Sequence, residues 1–247
     1  MYKKLSSQWY DLLNPHPPQD EFRFFLEYIK NSSGPVLEPM CGSGRFLIPY
    51  LQLGYEVHGF DISEFMMSEL SSRLDNLGLE AKVWFGGFDL LPTEPIYDFV
   101  FIPSGSFALI TDIDEARRCL LRLQKSMKIG AKAVFEMETD FATPPDYEPF
   151  CRGELLREDG FKIRMTTSPF PVIDSIARVA CLFELIDGEV VVENEYEDFA
   201  IRLYSQSEFE ALLKNSGFVD VKRFKAFDVM QSPLPSDEIV VFEATRI

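Results

Sequence analysis

From Pro35 onward the chain alternates short apolar runs rich in β-formers with helix-length amphipathic segments, and this rhythm does most to restrict its fold. The run VLEPM leads into the Gly-rich CGSG and then into RFLIPYLQL, whose apolar spacing is helical. A second strand, YEVHGFD, precedes a helix that starts near Ser63. AKVWF, YDFVFI and AKAVFEME supply strands three to five. TDIDEARRCLLRLQKSMK lies before the last of these as an amphipathic helix, acidic in its first turn and basic in its last, as a helix dipole favours. Strands separated by helices in this order predict an α/β Rossmann-like three-layer sandwich around a mostly parallel sheet.

The flanks depart from that rhythm. Residues 1–30 read as two short helices interrupted by NPHPP. After TPPDYEP, residues from about 150 to 203 carry β-type segments (FKIRMTTS, ARVACLFELI, VVVENEYEDFAIRLY) with no helix between them, which predicts an antiparallel insertion. Asp187-Gly188 is its hairpin signal. SQSEFEALLKNSGF then returns to helix, with Ser205 as N-cap, Glu208 as its capping-box partner and Gly217 as the stop. FVDVKRFKAF and EIVVFEATR close the chain as strands. The expected division is residues 1–150 with 204–247 as one domain, N-terminal helices included, and 151–203 as an inserted β subdomain over the active site.

Charge and composition exclude several functions. A formal charge of −16 and a pI near 4.6 repel phosphate backbones, so nucleic acid is not an expected partner. No apolar run approaches the roughly 18–20 residues that span a bilayer. The start MYKKLSSQWYDLL has no apolar h-region, so a cytoplasmic location is expected. Four cysteines without C-x-x-C spacing and two histidines predict neither a metal site nor a disulfide framework. His58 falls on a buried strand and reads as structural, His16 lies in a loop, and no general base stands out.

The densest chemistry is in VLEPMCGSGRF. Glu38 ends a strand, and Gly42 and Gly44 form the turn into a helix, where small residues let a ligand approach the backbone. Glu38 would oppose a pyrophosphate but suits a cationic ligand or an amine. Asp61 ends the second strand at the distance where a carboxylate can accept both hydroxyls of a ribose. An NAD(P)-dependent reductase would also want the third glycine of G-x-G-x-x-G, which is missing here.

Glu38-x-Met40-x-Gly42-x-Gly44 with Asp61 resembles motifs I and II of class I S-adenosylmethionine-dependent methyltransferases. That resemblance implies Gly42 and Gly44 under the methionine part of the cofactor, Asp61 on the ribose, Ile62 beside the adenine and Glu38 toward the methionine ammonium. Met40 stands where the family often has its first glycine, implying a turn that tolerates a side chain. WFGGFDLLP is similar to the segment after strand three, with Gly87 at the family's Asp position, Phe88 next to it and Asp89 displaced by two; either Asp89 or the backbone around Phe88 would hold the adenine amine. In YDFVFIPSGSFALI, Pro103 and Ser104 would border the transferred methyl, and Ser106 and Phe107 would face the acceptor. Tyr10 would cap the donor pocket, against the alternative of a buried ring with a solvated hydroxyl. Phe88, Phe107 and Met66 are equally core residues by type, and Glu184, Glu195 and Glu197 read as a solvated strand face.

The resemblance also implies strand order 3-2-1-4-5-7-6. The helical start with Trp9-Tyr10-Asp11 and the β-rich insertion most resemble small-molecule N-methyltransferases of the glycine and aminosugar type. The function implied is methyl transfer from S-adenosylmethionine to a small-molecule acceptor, an amine among the candidates, under a lid made of the N-terminal helices and the insertion. A non-catalytic S-adenosylmethionine-binding protein and a reductase are the competing readings.

Overall fold

The computed structural model describes residues 2–142 and 150–247, so the TPPDYEP boundary lies wholly outside the described residues. Two helices, α1 (Lys4–Leu13) and α2 (Gln19–Lys30), precede β1 (Val36–Pro39). Then come α3 (Leu47–Gln52), β2 (Val57–Asp61), α4 (Glu64–Leu77), β3 (Val83–Phe85), β4 (Tyr97–Ile102), α5 (Ile113–Ser126) and β5 (Met127–Glu138). β6 (Phe150–Leu156), β7 (Lys162–Ile173), β8 (Ile176–Asp187) and β9 (Val190–Arg202) follow, then α6 (Gln206–Asn215), β10 (Phe218–Lys225) and β11 (Ile239–Arg246).

A seven-stranded sheet runs β10-β11-β5-β4-β1-β2-β3, the order expected, with β11 antiparallel to β5 and to β10 and the rest parallel. Both faces are buried, and the two-residue period of a strand divides each strand's side chains between them. On β4, Phe99 and Phe101 join a cluster with Phe24, Phe25 and Ile29 of α2, Leu47 of α3 and Leu70 of α4. Val100 and Ile102 face the opposite cluster, with Leu120 and Leu123 of α5 and Phe209 and Leu213 of α6. Three layers result.

The second sheet, β6-β7-β8-β9, is antiparallel throughout. Its first strand, β6, was not among the segments read from sequence. β7 also runs further than expected, through Pro169 and Pro171 to Ile173. Asp174 and Ser175, with φ of 51° and 63°, turn β7 into β8, and the next turn is Gly188-Glu189, one residue later than the expected Asp187-Gly188, since Asp187 pairs with Val190. Ser205 caps α6 through the Glu208 N–H at 3.2 Å, but the Glu208 carboxylate turns to Arg202 at 2.9 Å instead of completing a capping box.

α1 packs on this second sheet, with Leu5 and Trp9 against Ile163, Cys181, Phe183 and Leu185. Its free N-terminal N–H groups, which no helix can satisfy internally, are met by β9. The Glu195 carboxylate accepts from the Leu5 and Ser6 N–H groups at 3.0 and 2.9 Å, and Glu197 accepts from the Lys3 N–H and the Ser6 hydroxyl, both at 2.6 Å. The reading of Glu195 and Glu197 as a solvated face is thus corrected: Glu197 is buried, and both are helix caps. Glu184 pairs with Arg164 at 2.8 Å. No described helix is long and apolar enough to cross a membrane.

Candidate active site

A cavity of about 790 Å³ opens beyond the carboxyl ends of β1, β2, β4 and β5, where an open α/β sheet places its ligands. Tyr2 and Tyr10 from the N-terminal segment and Asp198–Ile201 of β9 wall its far side. Tyr2 is edge-on to Tyr10 at 5.5 Å and leans on Phe199 at 5.1 Å, so the first helix and the second sheet close over the cavity together.

The turn after β1 forms its floor. Met40, Gly42 and Gly44 all have positive φ (58°, 54° and 86°), so Met40 occupies the left-handed region that the glycine of the family pattern would adopt freely. Glycine is needed at 44 for packing: a Cβ there would stand 2.5 Å from Leu70 Cδ1, and Gly44 does not line the cavity. Gly42 does line it.

Glu38 is buried at the end of β1, and its Oε2 has no hydrogen-bond partner. Burial and the carboxylate of Asp61 push its pKa up, against the pull of Arg45 and the Leu47 N–H. Asp61, at the end of β2, accepts from the Gly42 N–H at 3.0 Å through Oδ2 and from the Ser63 N–H at 2.8 Å through Oδ1. It therefore ties the Gly-rich turn to the next helix while each oxygen keeps a lone pair for a ligand hydroxyl. Ile62 lies beside it, half exposed.

Across from these, Gly87, Phe88 and Asp89 line the cavity after β3. Phe88 is buried edge-on to Phe60 at 5.1 Å, and Asp89 is exposed, 3.1 Å from where a Cβ of Gly87 would stand. The loop after β4 brings Pro103 and Ser104 to the cavity, with Ser104 and Gly105 both at positive φ. Ser104 is held twice, its N–H by Glu136 and its hydroxyl by Arg45. The Ser106 hydroxyl bonds the Pro103 carbonyl at 2.9 Å. Phe107 does not reach the cavity: it is fully buried against Phe135 and Phe209, each 5.7 Å away, because its place in the turn points it into the core.

Three features escaped sequence reading. Arg45 follows Gly44 directly and packs its guanidinium 5.6 Å from the Tyr10 ring. Behind it, Glu21 of α2 and Glu136 of β5 are electrostatic neighbours, and burial raises their pKa values to about 7 and about 8. Glu138, at the end of β5, reaches the cavity wall. Among the described residues lining the cavity, six carboxylates (Glu38, Asp61, Asp89, Glu115, Glu138, Asp198) face one guanidinium, that of Arg45.

Residues 36–130, from β1 into the start of β5, match a family model described as a methyltransferase domain. Residues 36–130 are a methyltransferase domain. Over nearly its whole length the chain is also similar to YqeM of Bacillus subtilis (strain 168), a protein named as a methyltransferase, with 25% identity, 96% of this chain and 94% of that protein being covered. The fold around the methyltransferase domain is shared with an S-adenosylmethionine-dependent methyltransferase from Clostridium acetobutylicum ATCC 824, at TM-score 0.78 and 16% identity, covering 97% and 96% of the two chains. It is shared as well with CalS10 of Micromonospora echinaspora, an amino pentose methyltransferase solved with S-adenosylmethionine bound, at TM-score 0.73 and 14% identity, covering 100% and 98%. The chemistry of the cavity suits such a donor. An unpartnered buried carboxylate oxygen fits an ammonium, a carboxylate with lone pairs to spare fits a diol, and a lone guanidinium fits a carboxylate.

Proposed function

We propose that this chain transfers a methyl group from S-adenosylmethionine to a small-molecule amine. The observation that carries this reading is the excess of carboxylates in a cavity already shaped by the Gly-rich turn and Asp61: a sulfonium and an ammonium are cations, as is an amine acceptor in the protonated form in which it arrives, and a dinucleotide is an anion. When bound, S-adenosylmethionine supplies a methyl group activated by its sulfonium.

In this reading Asp61 accepts the ribose hydroxyls, with Ile62 on one side of the adenine and Gly87, Phe88 and Asp89 on the other. Glu38 takes the ammonium, Arg45 the carboxylate, and Met40 and Gly42 lie under the methionine chain. Pro103 and Ser104 border the reacting centre, and Tyr10 and Ser106 extend toward the acceptor. Residues 151–203 act with α1 as a cover that shields the centre from water and limits acceptor size. The chain's contribution to rate is then alignment of the acceptor, which alone can lower a barrier by several kcal/mol, about 7–11 at the upper end.

Incubating the protein with S-adenosylmethionine and a panel of aminosugars, amino acids and simple amines, beside their hydroxyl analogues, tests this by mass spectrometry. Methylated amine formed together with S-adenosylhomocysteine is the expected result. Methylation confined to the hydroxyl analogues would overturn the choice of acceptor.

A further inference from the structure

The six cavity carboxylates are not equivalent, and their partners sort them. Glu115 pairs with Arg118 and Asp198 with Arg178, both arginines on the outer surface. Asp61 is held by backbone N–H groups, Glu38 lies in the field of Arg45, and Asp89 stands at the rim beside Gly87 and Ile62. The Glu138 carboxylate has no hydrogen bond or ion pair to any described residue. Burial and then the carboxylate of Glu238 push its pKa up, and it raises that of Glu136 in turn.

Its position is also fixed. Glu138 pairs with Ile239 in the sheet, and the next residue, Thr139, is buried, with its N–H on the Glu238 carbonyl at 2.8 Å and its hydroxyl on the Asp237 carbonyl at 2.8 Å. The loop after β4 leaves room for the side chain: Gly105 is at φ 64°, and a Cβ there would lie 3.7 Å from Glu138 Oε1. The carboxylate therefore faces the cavity beyond Ser104, on the side away from Asp61 and Ile62. A half-buried anion with a like charge behind it is stabilised by a cation that enters from the cavity.

We propose that Glu138 is the acceptor's anchor, binding a small amine as its ammonium ion and taking up the proton that the nitrogen must lose before its lone pair can accept the methyl group, and so setting the preference for amines over alcohols. This rests on the reading of the cavity given above, and it assigns a residue that the methyltransferase resemblance does not supply.

The test uses the full-length protein saturated with S-adenosylhomocysteine, probed by ligand-observed NMR with cyclohexylammonium and with cyclohexanol as its neutral match. Wild type should bind cyclohexylammonium in preference to cyclohexanol. Glu138→Gln should weaken the ammonium by about tenfold or more, the loss expected for one charge-assisted hydrogen bond, without changing its S-adenosylhomocysteine affinity. Glu138→Asp should restore part of the binding, and Glu154→Gln, at a carboxylate outside the cavity that pairs with Lys162, should leave it within about twofold. Equal ammonium binding by wild type and Glu138→Gln, or no ammonium binding by wild type, would overturn the assignment. Failure to bind S-adenosylhomocysteine at all would instead overturn the reading of the cavity.

Discussion

At the scale of residues, the turn after β1 separates two reasons for glycine that look alike in a motif. Gly42 opens to the cavity, whereas Gly44 is held against Leu70 and Ile48. Gly44→Ala is therefore expected to destabilise the fold by about 3 kcal/mol, combining a left-handed-backbone penalty with overpacking. Thermal unfolding would check this, and an unchanged melting temperature would contradict it. Glu21 and Glu136 make a second residue-scale case. Both carboxyls have pKa values raised by burial, to about 7 and about 8, so the folded chain holds protons that the unfolded chain has already released above about pH 4.5. Stability contributed by the protonated pair is present at low pH and is lost as pH rises through the folded values. Glu136→Gln, which keeps an acceptor for the Ser104 N–H and removes the titration, should flatten the fall in melting temperature between about pH 5 and pH 8 relative to wild type. Parallel curves would show that the pair does not titrate as described.

At the scale of elements, the strands and helices of the large sheet were legible because each carries its own periodicity: β4 alternates between two helix layers, and Ser63, Asp112 and Ser205 each cap the helix they begin. Contacts between distant elements were not legible. Glu195 lies 190 residues from the N–H it accepts, and on its own strand it looks like any exposed acid. Removing it should release α1 from the second sheet. Glu195→Ala should cost about 1 kcal/mol, the usual worth of an N-cap, and should increase hydrogen exchange across residues 4–13, where Trp9 reports the same loosening by fluorescence. Unchanged exchange in α1 would mean that the Trp9 and Leu5 packing alone holds the helix.

At the scale of the whole molecule, the acidic surface and the acidic cavity have the same sign, so small cations are drawn in and phosphate-rich ligands are repelled. Composition showed the surface charge, but the cavity charge depends on which acids the fold turns inward. Glu38 and Asp61 could be placed from the motif at the ends of β1 and β2. Arg45 and Glu138 could not, because one extends from the turn and the other ends a strand whose neighbour in the sheet, β11, lies about a hundred residues further along the chain. Phe107, expected on the acceptor side, shows the converse: its loop reaches the cavity, but one turn of backbone directs the ring into the core.

The most direct test of the central claim is calorimetric titration of wild type and Asp61→Asn with S-adenosylmethionine, S-adenosylhomocysteine and NADH. Wild type should bind both sulfur compounds and not NADH. Asp61→Asn should lose about a hundredfold in affinity for both, as expected when a carboxylate holding two hydroxyls is replaced by a neutral amide. Binding of NADH, or sulfur-compound affinity unaffected by the variant, would contradict a cavity built around Asp61 for this donor.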